Sequence, residues 1–172
     1  MKYRVPRSLT FGMGNIEIKD EWGKDRYNLL YLHKVGYSFE FCDVAGKKFA
    51  DIKQVISFSN KFKVKTETKE VTVHFKYPLK INALPYCKFT NLDWSTQGDI
   101  HHREYFVLDG SKEVAHISLA GPANDDPHLT RRALSDMQRD LEIKVSDEYD
   151  EPLTLAVIIA IELAQKADAT RS

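Results

Sequence analysis

Three groups of residues in this chain of 172 have the types and spacing to do chemistry. Lys61, Lys63 and Lys65 alternate with Phe62 and Val64, which puts three ammonium groups on one face of a strand at intervals of about 6.5–7 Å. Such a row can grip the phosphate of a lipid head group or of an inositol phosphate, and Lys53, Lys69 and Lys76 are near enough in sequence to join it. The solvated outside of a barrel strand, or an edge protected by lysine, has the same pattern. Asp147, Glu148, Asp150 and Glu151 form the second group. Carboxylates this close can supply oxygen ligands to calcium, with Asp147, Glu148 and Asp150 the candidates. The competing reading is helix capping and compensation of the helix dipole, and the EF-hand spacing with its internal glycine is absent. The third group is Asp99, His101, His102 and Glu104. Adjacent histidines in a strand point to opposite faces and do not converge on a metal, so these read as a polar loop.

Nothing else in the chain suggests catalysis. No Ser, Cys or Thr sits in a nucleophile motif, and there is no glycine-rich phosphate loop or paired cysteine, so neither an enzyme nor a cofactor is expected. Cys42 and Cys87 are isolated and read as ordinary thiols of a reducing compartment. The N-terminal stretch Met1 to Pro6 has no apolar signal core, residue 2 is not glycine and no prenylation cysteine follows, which predicts a cytoplasmic address. Lys plus Arg equals Asp plus Glu at 25 each. No global field draws the chain to nucleic acid or to an acidic membrane, and any such attraction has to come from a local patch.

The elements that must carry these residues are unequal. Pro152 to Lys166 is the one long segment of good helix formers, with Asp150 or Glu151 to cap it, Pro152 in the first turn and Lys166 at the last. Leu155 to Ile161 is unbroken apolar residue, so this helix has no polar face and needs protein around it. At about 1.5 Å per residue it spans roughly 20–25 Å, short of the ~30 Å hydrocarbon core, and no transmembrane segment is expected.

Before it, period-two alternation dominates: Ile16 and Ile18, Phe39 and Phe41, Phe62 and Val64, Val71 to Phe75, Val114 to Leu119, and Leu141, Ile143 and Val145. Each is a strand with one wet face. Around Phe89, Tyr105 and Phe106 the alternation is less regular. A weak repeat links Ile16 to Gly23 with Phe39 to Gly46, each being two alternating apolar residues followed by Asp-x-x-Gly, a strand and then a tight turn. Asp109-Gly110 marks a third hairpin. Gly121 to Pro127 is a loop by composition, and His128 to Asp140 reads equally as a short helix or a bent strand.

About twelve strands before one apolar helix fit a mainly β fold, a closed antiparallel β-barrel with the helix threaded through it, as a helix about 10 Å across needs a barrel wider than eight strands. The competitor is a β-sandwich with the helix on one face, which leaves half of that helix wet. The expected organisation is a single domain over residues 1–167 with a short tail at 168–172.

These residues resemble the LURP-one-related family. The resemblance is carried by Met1-Lys2-Tyr3, Leu9-Thr10-Phe11-Gly12, Ile16-x-Ile18-x-Asp20-Glu21-x-Gly23, the repeat at Asp43-x-x-Gly46, Ile52-Lys53-Gln54 and the closing Leu155 to Ile161, and it covers essentially the whole chain. That family is similar to the tubby C-terminal domain and the phospholipid scramblases, which implies a twelve-stranded barrel around a central hydrophobic helix. Tubby domains bind phosphoinositide head groups and scramblases act on lipids with calcium, placing the acidic stretch before the helix. The resemblance therefore implies a non-enzymatic cytoplasmic module, peripheral to a membrane, that binds phospholipid or phosphoinositide head groups. The rival is a protein-interaction or scaffold domain without lipid affinity. Pro122 to Arg139 is longer than the usual hairpin there, and the cysteine-rich acylation stretch of scramblases has no counterpart. Their membrane attachment and lipid transport are accordingly not expected.

Overall fold

The computed structural model describes residues 1–6, 14–32, 35–55, 60–120 and 139–169. The loop expected at Gly121 to Pro127, and nearly all of the ambiguous segment after it, lie outside the described residues.

Twelve strands form one antiparallel sheet in the order β8-β7-β6-β5-β4-β3-β2-β1-β12-β11-β10-β9. In chain order they are β1 Lys2–Val5, β2 Ile16–Asp20, β3 Asp25–Tyr31, β4 Ser38–Asp43, β5 Lys48–Gln54, β6 Lys61–Lys65, β7 Glu70–Lys76, β8 Tyr86–Thr90, β9 Trp94–Asp99, β10 Glu104–Asp109, β11 Lys112–Leu119 and β12 Leu141–Val145. All but one pair of spatial neighbours are also neighbours in sequence, as in a hairpin meander; the exception is the pairing of β1 with β12. The two Asp-x-x-Gly turns form as the repeat requires. Asp20 Oδ1 accepts the Trp22 and Lys24 N–H groups, each at 3.0 Å, and Asp43 Oδ1 accepts those of Ala45 and Lys47 at 2.9 and 2.8 Å. Gly23 and Gly46 close the turns at φ of 79° and 89°, where a side chain would be strained.

The sheet curls until β8 and β9 come together, leaving a nearly closed barrel. No strand ladder joins these two ends, but the Cys87 N–H donates to Thr96 Oγ1 at 3.0 Å across the gap. At this seam β9 gives little to the core: Trp94, Thr96 and Gly98 face inward and none is fully buried. At Gly98, with φ of 110°, a Cβ would stand 2.6 Å from the Glu104 carbonyl oxygen, so only glycine lets β10 approach.

The helix α1, Glu151–Ala169, fills the barrel. Every residue from Thr154 to Ala167 is buried except Lys166, and the inward side chains of the strands pack around it into one core. A face-packed sandwich would leave part of the helix exposed and is ruled out. The helix runs three residues beyond Lys166, where Asn60 Nδ2 donates to Asp168 Oδ1 at 3.2 Å and fixes the last turn to the strand wall. Among the described residues no helix is long and apolar enough to cross a membrane.

Candidate functional site

Alternation sends Phe62 and Val64 into the core and leaves Lys61, Lys63 and Lys65 on the outside of β6. Cross-strand register then decides what each lysine meets. Lys63 lies opposite Lys53 on one side and Thr72 on the other, and Ser38 follows beyond Lys53, giving a transverse row Ser38, Lys53, Lys63, Thr72 over four strands. Lys65, two residues along, sits in a row of opposite sign formed by Glu40, Asp51 and Glu70. Lys61, at the other end of β6, lines up with His74 and Lys88. The three lysines of one strand thus belong to three rows, two basic and one acidic.

A concavity of about 510 Å³ opens over the first two rows, with Lys48, Lys53, Lys63 and Lys65 facing Glu40, Asp51 and Glu70 and with Ser38 at its edge. Lys61 does not line it. Lys48 pairs with Asp51 at 3.3 Å and Lys63 reaches diagonally to Glu70 at 3.4 Å. Among the described residues Lys53 and Lys65 have no ion-pair partner. The potential of the third row shows at His74, whose pKa is lowered by burial and then by Lys61, Lys76 and Lys88.

The acidic group before the helix does not converge. Asp150 caps α1, its carboxylate accepting the Leu153 N–H at 2.8 Å while its carbonyl takes the Thr154 hydroxyl at 2.7 Å. Glu151 accepts the Tyr27 hydroxyl, Glu148 pairs with Lys112 at 3.4 Å, and Asp147 faces the N-terminal amine at 3.5 Å. The Asp99 group sits at the turn between β9 and β10 and also disperses: His102 pairs with Asp99 and Glu104 with His116, each at 2.7 Å, while His101 turns toward the Gln165 amide at 3.3 Å. No three His, Cys, Asp or Glu side chains among the described residues are placed to hold a metal ion.

Sequence reasoning missed a buried polar site inside the barrel. Glu162 projects from α1 into the wall, where Arg103 Nε donates to it at 3.0 Å and the Tyr105 hydroxyl at 2.9 Å. Burial pushes the Glu162 carboxyl up, opposed by Arg103 and Tyr105, and pushes the Tyr105 hydroxyl well up. The available signal was a carboxylate in the middle of an otherwise apolar helix, a group that needs a buried partner. Cys87, on β8, is buried and has its thiol raised by burial and then by the Glu162 charge, so it is an inert core thiol rather than a nucleophile.

A nearly closed barrel of twelve antiparallel strands around an apolar helix, with its charge sorted on the outer wall, is a tubby-like barrel domain. The sequence profile of the LURP-one-related family matches residues 3–162, and the chain belongs to that family. Comparison with curated proteins gives no match. A protein from Arabidopsis thaliana known from an X-ray structure is similar in fold at a TM-score of 0.60, over 99% of this chain and 91% of that one. At 12% identity the likeness shows the architecture alone.

Proposed function

We propose that this domain is a non-enzymatic, cytoplasmic module that binds phospholipid or phosphoinositide head groups at a membrane surface, through Lys53, Lys61 and Lys63, with Lys65 at the margin. The observation that carries the reading is the register of Lys53 directly opposite Lys63. Like charges in that position repel and destabilise the pair. Only Lys63 has a counter-ion, and its partner Glu70 lies in the neighbouring row, so Lys53 is left to an external anion. A phosphate between the two ammonium groups relieves the repulsion, Ser38 and Thr72 flank them with hydroxyls, and Lys61 and Lys88 continue the positive face. The row Glu40, Asp51, Glu70 bounds the site on the other side and favours a ligand that approaches from the Lys61 end.

The test is sedimentation with phosphatidylcholine vesicles carrying phosphatidylserine or a phosphoinositide. Lys53→Gln with Lys63→Gln should weaken binding by about 2 kcal/mol, roughly 30-fold. Lys65→Gln should do less, because Asp51 and Glu70 already offset that charge. Binding should weaken as added salt shortens the Debye length. Equal sedimentation of wild type and double variant would end the reading and give the lead to a protein-interaction domain.

A further inference from the structure

The described surface has single exposed apolar residues, which are ordinary, and one concentration of them, which is not. The connection between β7 and β8 exposes Leu79 at 105% and Ile81 at 92% of full accessibility, with Leu84 half exposed beside them. Two observations bear on what meets this tip. From residue 71 to residue 92 the chain carries Lys76, Lys80, Lys88 and His74 and no Asp or Glu. The placement of these groups is the second: Leu79 and Ile81 lie at the tip with Lys80 between them in sequence, Tyr77 and Tyr86 at the base with Lys76 opposite Tyr86 at that same level, and Lys88 opposite His74 one step down the wall. An apolar tip above a belt in which aromatic and lysine side chains stand together matches acyl chains above an interface of anionic head groups, with the long Lys80 side chain able to reach back to that belt.

The loop is held ready. Tyr77 stacks edge-on against Phe75 at 5.4 Å and its hydroxyl lies 3.3 Å from His101 Nε2, which fixes the base. The Ala83 N–H returns to the Lys80 carbonyl at 3.4 Å, with Asn82 at φ of 66°, so Ile81 stands at the apex of a closed turn. No folding need explains two fully exposed aliphatics on a pinned turn.

We infer that the β7–β8 loop is a membrane-insertion element, which seats Leu79 and Ile81 among the acyl chains of an anionic bilayer while Lys76, Lys80 and Lys88 meet the head groups. It rests on the head-group reading above only for the identity of the surface. A second copy of the chain is a poorer occupant, because a symmetric contact through the tip would bring the two lysine collars together.

The experiment uses the full chain in two forms. Leu79→Ser with Ile81→Ser removes the tip, and Ile81→Cys carries an environment-sensitive fluorophore, selective because Cys42 and Cys87 are each 3% exposed. On phosphatidylcholine/phosphatidylserine vesicles the double serine variant should lose about tenfold in affinity per residue with its melting temperature unchanged. The fluorophore should shift to the blue and be quenched by acyl-chain quenchers, and do neither on pure phosphatidylcholine. Sedimentation with a fluorophore that stays in water overturns insertion and leaves the lysine reading standing. Normal binding by the Lys53/Lys63 variant, with binding lost in the serine variant, does the reverse. Failure of wild type to bind either vesicle overturns both, and self-association that the serine variant abolishes assigns the loop to a second copy.

Discussion

The two ends of the barrel are closed by the same helix, yet they use polar residues differently. At the start of α1 the polar groups serve folding: Asp150 caps the helix, Glu151 holds Tyr27, and Tyr149 donates to Asp109 at 3.0 Å. Burial and the Glu151 carboxylate push the Tyr3 and Tyr27 hydroxyls far up, so both stay neutral donors. At the other end the fastenings are also present, in Asn60 with Asp168, Lys166 over the Tyr37 ring at 5.0 Å, and His101 between Tyr77 and Gln165. Outside them, however, stand Lys76, Lys80 and Lys88 and a pinned apolar loop that no packing requirement explains. Charge that folding uses is silent about function. Charge left over beside an exposed apolar tip points outward, and this end is where a ligand surface is to be sought.

The comparison breaks first if the helix is not the common core. Ile158 is fully buried, so Ile158→Asp places an unpaired carboxylate inside the barrel and should cost more than about 4–5 kcal/mol. Truncation before Pro152 exposes the barrel lining. Insoluble protein is expected from both, and a soluble truncation that melts cooperatively would show that the strands stand without the helix.

A smaller effect is expected where the helix touches the wall. Glu162→Ala leaves Arg103, itself mostly buried, and the Tyr105 hydroxyl without their acceptor, and should cost about 3–5 kcal/mol. Glu162→Gln isolates the charge. A carboxyl raised by burial above its ordinary 4.5 binds its proton more tightly in the folded state. Its contribution is present in full below the unfolded value and is lost as pH rises through the folded one. Melting temperature followed upward from pH 4 should therefore fall in wild type relative to the glutamine variant, and parallel profiles would mean that Arg103 fully offsets the burial.

Helix, strand faces and both Asp-x-x-Gly turns were legible because each depends on local periodicity or on one turn. Three things were not. Reading Lys61, Lys63 and Lys65 as one row required only β6, whereas register with β5 and β7 sends Lys65 to the acids and puts Lys53 against Lys63. Arg103 and Glu162 are 59 residues apart, and only the closure of the sheet brings them together. The apolar residues of the β7–β8 connection interrupt no pattern in the sequence, and their significance comes from having nothing above them.

The mildest test concerns the start of the helix and whether its acids do only structural work. Asp150→Ala removes the acceptor of the Leu153 N–H and should lower stability by about 1 kcal/mol, with Asp150→Ser recovering most of it because serine also caps. Asp147 and Glu148 engage other partners, so Asp147→Asn should be nearly neutral. If capping is the whole role, millimolar calcium should give no saturable heat in calorimetry and no rise in melting temperature. A calcium-dependent rise lost in Asp147→Asn with Asp150→Asn would mean that these carboxylates move together around an ion. Both ends of the barrel would then carry charge beyond what folding needs, and the contrast between them would fail at the end assigned to structure.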